Sequence, residues 1–413
     1  MIGFARTSTE LVCDGVSLAA IAEAVGTPFY AYSAATLADR YSELDAAFGE
    51  YPHAIHYAFK ANSTLDLVKR LRALGSAVDA VSIWEVEIAR AAGYEPGQIV
   101  FDGVGKSDHE LECAVSLGLK AINVESAGEL ARVEAIAART DRTTRVAIRI
   151  NPDIDAQSHP HISTGLKINK FGIPGDEVRQ LVASLPARPS LRLVALHVHV
   201  GSLITTIDPI RRAAGRLAEF ARDAVDAGAA LEYLDVGGGL GISYDGGVVP
   251  SFGEYAAACV AEIRSTRLPI VVEPGRSIIG PAGILVARVV DLKPRTASSE
   301  FAVIDAGMSE LMRPALYGAF HQIEPIRSRA GTLRHYEVVG PVCESGDVVG
   351  RDRTLPRLDL GDLVAIRDAG AYGSAMASNY NRRPLPAEVL VEEGGWRVIR
   401  RRQTIDDMLA LER

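Results

Sequence analysis

The stretch "AIHYAFKANSTLDLVKRLRALGSAVDAVS", residues 54–82, contains one strand–helix–strand unit. Two short β-rich runs, residues 54–60 and 77–82, enclose a segment with helical spacing. Four apolar residues of that segment fall on one helical stripe: Leu67, Val68, Leu71 and Leu74. Gly75 follows as a helix stop signal. Such a unit is typical of a sheet whose parallel strands are joined by helices.

The same alternation continues along the chain. Six further β-rich runs follow, at residues 98–103, 120–126, 145–152, 192–201, 232–239 and 269–275. Segments with helical spacing separate them, as in "SAGELARVEAIAAR" and "PIRRAAGRLAEFARDAVDAG". Eight strand candidates alternating with helices predict an α/β fold with a parallel (β/α)8 barrel of the TIM type. An open doubly wound sheet is the structural alternative. We assign residues 30–280 to the barrel.

The pattern changes after residue 280. Runs such as "ILVARVVDLKP" and "LRHYEVVGPV" are strand-like, turns separate them, and little helix is predicted. We therefore predict a second, mostly antiparallel β domain over residues 281–413, which the segment 1–29 joins. At 413 residues the chain is also too long for one ordinary core, so two domains are expected.

Composition and charge exclude several classes of protein. With 44 basic and 52 acidic side chains the net charge is −8, which argues against a nucleic-acid surface. No apolar run is long enough to cross a membrane, and the first residues lack a signal core. The four cysteines are scattered without a C-x-x-C pair, so neither a disulfide framework nor a structural zinc site is predicted: Cys13, Cys113, Cys259 and Cys343. We expect a cytoplasmic protein.

Chemically distinctive residues stand at the ends of the predicted strands. They are Lys60, Ser82, Asp102, Asn151, His199, the glycines at 237–239 and Glu273. In an α/β barrel the carboxyl ends of the strands form the functional face. This regular placement predicts a site at that face.

Each of these signals has an ordinary structural reading when taken alone. A lysine at a strand end, such as Lys60, more often reaches water along its apolar stem. His197 and His199, two apart on a strand, could be a metal pair or core histidines bonded to backbone. Glu273 could form a structural ion pair with Arg276, or could hold a protonated heterocyclic nitrogen.

The glycine-rich turn "LDVGGGLG", residues 234–241, narrows the class of ligand. Glycines allow a backbone to approach a phosphate closely. The turn matches neither G-x-G-x-x-G nor a G-K-[ST] ending, so a dinucleotide or nucleoside triphosphate is poorly supported. A single phosphate monoester fits better. A lysine, an imidazole, a phosphate cradle and a carboxylate are together the set that pyridoxal 5′-phosphate requires.

From "GTPFYAYS" (26–33) to "YNRRPLPAEVLV" (380–391) the chain resembles the diaminopimelate decarboxylases, pyridoxal-phosphate enzymes with an alanine-racemase-type barrel. The resemblance implies that Lys60 in "YAFKAN" forms the Schiff base with the cofactor and that His199 in "HVHVGS" stacks on its ring. It implies that Glu273 in "EPGR" keeps the pyridine nitrogen protonated. Further cofactor contacts would come from Ser202, Gly238, Gly239, Arg276 and Tyr372.

The resemblance also assigns residues to the substrate and to proton return. Substrate contacts would come from Arg276, Arg313, Tyr317, Glu344 and Tyr372, with Arg313 and Tyr317 at the distal end. Cys343 and Glu344 in "GPVCESGD" would be supplied by the partner subunit of a homodimer with shared active sites. Cys343 would be the acid that returns a proton to the α-carbon, although a small buried apolar role is its alternative.

The implied reaction is decarboxylation of meso-2,6-diaminopimelate to L-lysine in lysine biosynthesis. Two departures from the family pattern leave an alternative open: Leu203 stands where glutamine is usual, and Asn169 where serine is frequent. The same chemistry could thus act on a specialised-metabolism, siderophore-precursor or carrier-bound amino acid. A racemase is a further alternative, but racemases of this fold typically place arginine at the ring nitrogen. A non-catalytic cofactor-binding protein would lack the second domain.

Overall fold

The structure is a computed structural model that describes residues 3–155, 164–166, 169–329 and 331–413. The chain divides into two compact units. The barrel unit comprises Tyr41–Ile242 and Val248–Ser277. The β-rich unit comprises Met1–Arg40, Ser243–Gly247 and Ile278–Arg413.

The strands, in chain order, are β1 (Phe4–Arg6), β2 (Leu11–Cys13), β3 (Val16–Ser17), β4 (Phe29–Ser33), β5 (His53–Ala58), β6 (Ala77–Ala80), β7 (Ile99–Phe101), β8 (Ala121–Val124), β9 (Thr144–Asn151), β10 (Ile173–Pro174), β11 (Leu191–Val198), β12 (Tyr233–Asp235), β13 (Ile270–Val272), β14 (Gly283–Pro294), β15 (Ser299–Ile304), β16 (Ile323–Pro325), β17 (Leu333–Val339), β18 (Val348–Pro356), β19 (Leu363–Ile366), β20 (Ala387–Glu392) and β21 (Gly395–Arg400).

The helices are α1 (Leu18–Val25), α2 (Ala34–Ala47), α3 (Leu65–Ala73), α4 (Ile83–Ala91), α5 (Asp108–Leu117), α6 (Ala127–Arg139), α7 (Gly175–Ser184), α8 (Asp208–Asp226), α9 (Phe252–Ile263), α10 (Arg276–Ile279), α11 (Arg313–Tyr317) and α12 (Ile405–Leu409). Within the described ranges, none of them is both long and apolar enough to cross a bilayer.

Eight parallel strands close into the predicted barrel. Their order is β5, β6, β7, β8, β9, β11, β12 and β13, and β13 pairs back onto β5. The closing register places Ile270 opposite His53. Because this pairing leaves no edge in the ring, the barrel is confirmed and the open doubly wound sheet is excluded. The short strand β10 adds to β9 outside the ring.

The helices between the strands begin and end at sequence signals. Helix α5 starts with a capping box in which Ser107 Oγ accepts from the Glu110 N–H and the Glu110 carboxylate accepts from the Ser107 N–H. It ends at Gly118, whose φ of 68° is the left-handed conformation that glycine adopts without strain. Leu111 on its inner face is fully buried, which contributes about 2 kcal/mol of apolar burial.

The barrel strands are shorter than the β-rich runs in the sequence. The first of them ends at Ala58, and Phe59–Ala61 form a 3-10 turn that carries Lys60. The direction of the Lys60 side chain is therefore set by this turn and not by the alternation of faces along a strand. Likewise β7 ends at Phe101, so Asp102 is the first residue beyond the strand. The β-rich runs of the sequence extend beyond the last paired residue of each strand, because residues at the rim of the barrel are still buried.

The β-rich unit is built on a mostly antiparallel sheet, as predicted. Its strand order is β18-β17-β15-β14-β4-β20-β21, and β19 pairs with β14 and β16. Only two of its strand pairs in the described residues, β15 with β17 and β4 with β20, run parallel. The sequence placed the domain boundary at residue 30, whereas β4 pairs in this sheet, with Tyr32 opposite Gly283. Strands β1 to β3 form a separate small sheet.

Candidate active site

Lys60 meets a buried carboxyl group at the carboxyl end of the barrel strands. Its Nζ lies 2.6 Å from Oδ2 of Asp79. The two residues approach because β5 and β6 are neighbours with Ala58 opposite Asp79. Sequence analysis did not single out Asp79, although a charged residue in the apolar run "AVDAVS" was a usable signal.

The barrel interior disfavours the charge on Asp79. Burial, helped by the negative charge of Glu273, raises the pKa of Asp79 to about 8, although Lys60 opposes the shift. A carboxyl group whose pKa lies this close to neutral pH can share a proton with the Lys60 amine. The pair therefore differs from a static surface ion pair, because a proton can move between the carboxyl group and the amine.

Glu273 lies directly after β13 and is paired with imidazole. Its Oε2 is 3.3 Å from His197 Nε2 and 4.0 Å from His199 Nδ1. Burial alone would raise the pKa of Glu273, but His197 outweighs burial and lowers it to about 2. Glu273 is therefore an ionised carboxylate in the barrel interior.

Asp102 completes a cluster of three buried groups. Asp102, His197 and Glu273 offer ligand-type atoms that all lie within 4.8 Å of one another. The acidic partners that a histidine metal pair would need, which were not evident in the sequence, thus come from other strands. A protonated His197 offsets one of the two carboxylates, and Arg149, 3.5 Å from Asp102, offsets the other, so the side chains balance the charge without a metal cation.

His199 is held as a neutral ring. The Gly238 N–H donates to His199 Nδ1 over 3.1 Å, so Nδ1 is an acceptor and the ring hydrogen is on Nε2. Burial, together with the positive charges of Lys60 and Arg149, lowers the pKa of His199 to about 3. A neutral imidazole fixed in this way presents an aromatic face to a flat ligand ring.

The triple glycine is required by close approach of neighbouring backbones. A Cβ on Gly238 would lie 2.0 Å from the Glu273 carbonyl oxygen, and one on Gly239 would lie 2.2 Å from that of Gly201. Gly239 also has a φ of 105°, which disfavours other residues. The turn therefore packs against the loops that follow β11 and β13, and this packing sets the shape of the predicted phosphate cradle.

Ser202 and Arg276 meet at the same rim. The Arg276 guanidinium donates to Ser202 Oγ over 3.0 Å, and Arg276 is buried. Next to them, Leu203 has a φ of 58°, an uncommon conformation for a bulky residue. Buried Ile204 holds the loop, since its N–H donates to the Gly239 carbonyl. Asn169, the other departure, donates its N–H to the Leu166 carbonyl.

Arg313, in the β-rich unit, is held by residues that sequence analysis missed. Its Nη1 lies 2.6 Å from His321 Nε2, and its guanidinium stacks 4.4 Å from the Tyr244 ring centre. His321 Nδ1 donates to the Arg367 carbonyl over 2.7 Å. Nε2 must therefore be the acceptor, which fixes His321 as a neutral ring that orients Arg313.

The remaining predicted residues also belong to the β-rich unit. Cys343 and Glu344 are exposed. The Cys343 N–H donates to Asn381 Oδ1, and Glu344 accepts from the Tyr380 hydroxyl over 2.9 Å. Tyr317 closes α11 and is half-buried, and half-buried Tyr372 has a φ of 56°.

The barrel residues fit pyridoxal 5′-phosphate. Among the residues that the structure describes, Oε1 of Glu273 is buried without a hydrogen-bond partner, although the other oxygen is paired. A protonated pyridine nitrogen is a donor that matches this oxygen. Lys60 would supply the amine, His199 the flat neutral ring, and Ser202 with Arg276 a hydroxyl and a cation for a phosphate.

Comparison with known proteins identifies relatives along nearly the whole chain. Residues 34–280 match the family model of the pyridoxal-dependent decarboxylase, pyridoxal binding domain. The chain is 42% identical to diaminopimelate decarboxylase of Neisseria meningitidis serogroup A over 97% of this chain and 98% of the relative. It is 43% identical to diaminopimelate decarboxylase of Vibrio cholerae serotype O1, over 98% of this chain and 96% of the relative.

A solved structure shows the same similarity in three dimensions. Diaminopimelate decarboxylase of Helicobacter pylori, crystallised in complex with L-lysine, superposes with a TM-score of 0.92 at 40% identity. The match covers 95% of this chain and 98% of that one. With a family match over more than half of the chain and relatives above 40% identity along nearly all of it, the chain belongs to the diaminopimelate decarboxylase family of pyridoxal-dependent decarboxylases.

Proposed function

We propose that this protein decarboxylates meso-2,6-diaminopimelate to L-lysine and carbon dioxide with pyridoxal 5′-phosphate as cofactor. The observation that carries the proposal is the ionised, buried Glu273 with one unused oxygen, in the same barrel mouth as Lys60. The cofactor, when bound, supplies an electron sink for the electron pair that is left when the α-carboxylate departs. Glutamate, unlike the arginine of racemases, favours a protonated ring nitrogen.

The residues of the barrel unit have separate tasks. Lys60 would hold the cofactor aldehyde, and Asp79 would exchange a proton with its amine. Glu273 would hold a proton at the ring nitrogen, and His199 would stack on the ring. Ser202, Arg276 and the backbone N–H of Gly239 would hold the phosphate, whereas the Gly238 N–H, also predicted for this role, donates to His199 Nδ1.

The residues of the β-rich unit would recognise the substrate. Arg313, oriented by His321, is suited to a bidentate pair with the distal carboxylate of diaminopimelate. Tyr317, Tyr372 and Glu344 would bind the polar groups around it. Cys343 would deliver the proton that replaces carbon dioxide on the α-carbon.

The substrate assignment is tested with a panel of amino acids. Purified holoenzyme is incubated with meso-diaminopimelate, LL-diaminopimelate, lysine, ornithine and arginine, and carbon dioxide release is measured. We expect turnover of the meso compound with formation of lysine. No turnover of it, with the cofactor fully bound, would refute the proposed substrate.

We also propose a homodimer in which Cys343 and Glu344 serve the partner's site, because both are exposed on one chain. Lys60→Ala and Cys343→Ala are each expected to be inactive. Mixing them as unfolded chains and refolding should restore about a quarter of the activity, since half of the dimers are mixed and carry one intact site of two. Absence of any recovery, with dimers shown by light scattering, would argue against shared sites.

A second candidate substrate is a modified amino acid, and Leu203 is the observation that favours it. Leucine in a left-handed conformation at this rim lacks the amide that the family usually has there. Leu203→Gln should then raise turnover of meso-diaminopimelate relative to larger conjugates. If Leu203→Gln leaves the ranking of all substrates unchanged, this candidate loses its support.

A cytoplasmic location is proposed from the four free cysteines.

A further inference from the structure

Four strands of the barrel bring a chain of alternating charges together at Glu273. His197 lies on β11 between two carboxyl groups, Glu273 after β13 and Asp102 after β7. Asp102 is in turn 3.5 Å from the Arg149 guanidinium on β9. All four residues are almost completely buried. Charges in such an environment are stabilised by one another and not by water.

The imidazole of His197 is placed to serve both carboxyl groups. Nε2 is 3.3 Å from Glu273 Oε2, and Nδ1 is 3.8 Å from Asp102 Oδ1. The contact between His197 Nδ1 and Asp102 Oδ1 has the length of an ion pair, and neither atom has a hydrogen-bond partner in the described part of the chain. A neutral ring would present an N–H to only one of the two carboxylates, whereas an imidazolium ring presents an N–H to each.

The surroundings favour the protonated ring. Burial lowers the pKa of His197, but Glu273 and Asp102 outweigh burial and raise it to about 9, with help from Asp235 on β12. Asp102 is itself held ionised, because Arg149 and His197 lower its pKa against the effect of burial. The cluster is also faced by the neutral His199 just after β11 and by the cations of Arg149, Lys60 and Lys106. Asp79 on β6 and His56 on β5 interact with Glu273 as well.

We propose that His197 is a positioning residue that stays protonated between Glu273 and Asp102, and so keeps Glu273 ionised to hold the proton on the cofactor's ring nitrogen. The inference rests on the proposed function, since it assumes that Glu273 faces that nitrogen. It gives a role to a buried histidine that lies between carboxyl groups from two other strands.

The test reads the protonation state of the ring nitrogen directly. Holoenzyme is reconstituted with pyridoxal 5′-phosphate labelled with nitrogen-15 in the ring, and the nitrogen-15 NMR shift is recorded. The wild type should show a protonated nitrogen, and Glu273→Gln should show an unprotonated one. His197→Gln, which can hydrogen bond but carries no charge, should shift the signal toward the unprotonated value. His109→Gln, a change of an exposed histidine on α5, should leave it unchanged.

Asp102→Asn keeps the volume of the side chain and provides a second variant should His197→Gln not fold. Its signal should shift in the same direction by a smaller amount. The kcat of His197→Gln should fall roughly tenfold to a hundredfold, as expected for loss of a buried charged hydrogen bond, while KM changes little.

The outcomes separate the inference from the proposed function. If Glu273→Gln leaves the nitrogen protonated, the role of Glu273 in the proposed function is wrong. If Glu273→Gln shifts the signal and both His197→Gln and Asp102→Asn leave it protonated, the inference alone is overturned. A stoichiometric divalent metal in the purified wild type would also overturn it, because a cation would then neutralise the two carboxylates.

Discussion

The amine of Lys60 lies 2.6 Å from the buried carboxyl group of Asp79, and the strand register between β5 and β6 creates this contact. The lysine is thus neither the solvated strand end of the ordinary reading nor an isolated amine. Its reactivity depends on a neighbour whose own charge is disfavoured by burial.

Asp79→Asn is expected to make the protonated form of the Lys60 nitrogen less stable, because the carboxyl group no longer compensates its positive charge. The pH midpoint of the visible absorbance of the holoenzyme should fall by roughly one to three units. A spectrophotometric pH titration measures it. Asp226→Asn, at an exposed position on α8, is the control. An unchanged midpoint would contradict a role for Asp79 at the amine.

Gly238→Ala is expected to destabilise the protein even without cofactor, because the new methyl group would lie 2.0 Å from the Glu273 carbonyl oxygen. We expect a loss of about 3 kcal/mol in the free energy of unfolding, typical of severe overpacking. Urea unfolding of the cofactor-free protein measures it. Gly97→Ala, where no atom lies within 4 Å, should change little. Normal stability combined with lost cofactor binding would show that only the phosphate requires this glycine.

His321→Leu is expected to weaken recognition of the substrate's distal carboxylate, because Arg313 loses the acceptor that orients it. KM for meso-diaminopimelate should rise roughly tenfold to a hundredfold while kcat changes less. His321→Gln retains an acceptor and should recover most of the affinity. His335→Leu, at an exposed position on β17, is the control. Steady-state kinetics measure the KM values. Equal KM values for the wild type and the three variants would contradict the prediction.

The histidines predict a stability maximum at intermediate pH. The folded-state pKa of His197, about 9, exceeds the ordinary histidine value of 6.5, so its contribution is complete below pH 6.5 and is lost as pH rises through about 9. The pKa values of His56 and His199, about 3, are depressed. Between about pH 3 and pH 6.5 these two histidines are therefore protonated in the unfolded chain but not in the folded protein. The free energy of unfolding consequently falls as pH drops below 6.5.

The alkaline part is assigned to His197 by comparing urea unfolding of cofactor-free wild type and His197→Gln from about pH 6 to about pH 10. The wild type should lose roughly 3 kcal/mol more than the variant over this range, which is the cost of the shift in pKa. Parallel pH profiles of the two proteins would show that His197 is not charged in the folded state.

Much of the fold could be predicted because each barrel strand is a local feature. The runs around Lys60, His199 and Glu273 are apolar, β-rich and separated by helical stripes, so their order predicted the barrel. The carboxyl ends of parallel strands meet at one face, so residues at those ends could be grouped from the sequence alone. Asp102 could be grouped with these residues in the same way, although the sequence did not show that it would lie next to His197 and Arg149.

The sequence by itself determined which residue types stand at the barrel mouth, since a strand's end is encoded in its own few residues. Only the tertiary structure decided which of them touch. Asp79 reaches Lys60 through the β5–β6 register, and His197 meets Glu273 and Asp102 across three strands. The tautomer of His321 depends on a carbonyl 46 residues away. Distances between strands, and the burial that shifts pKa values, arise from closure of the barrel and are absent from any local pattern.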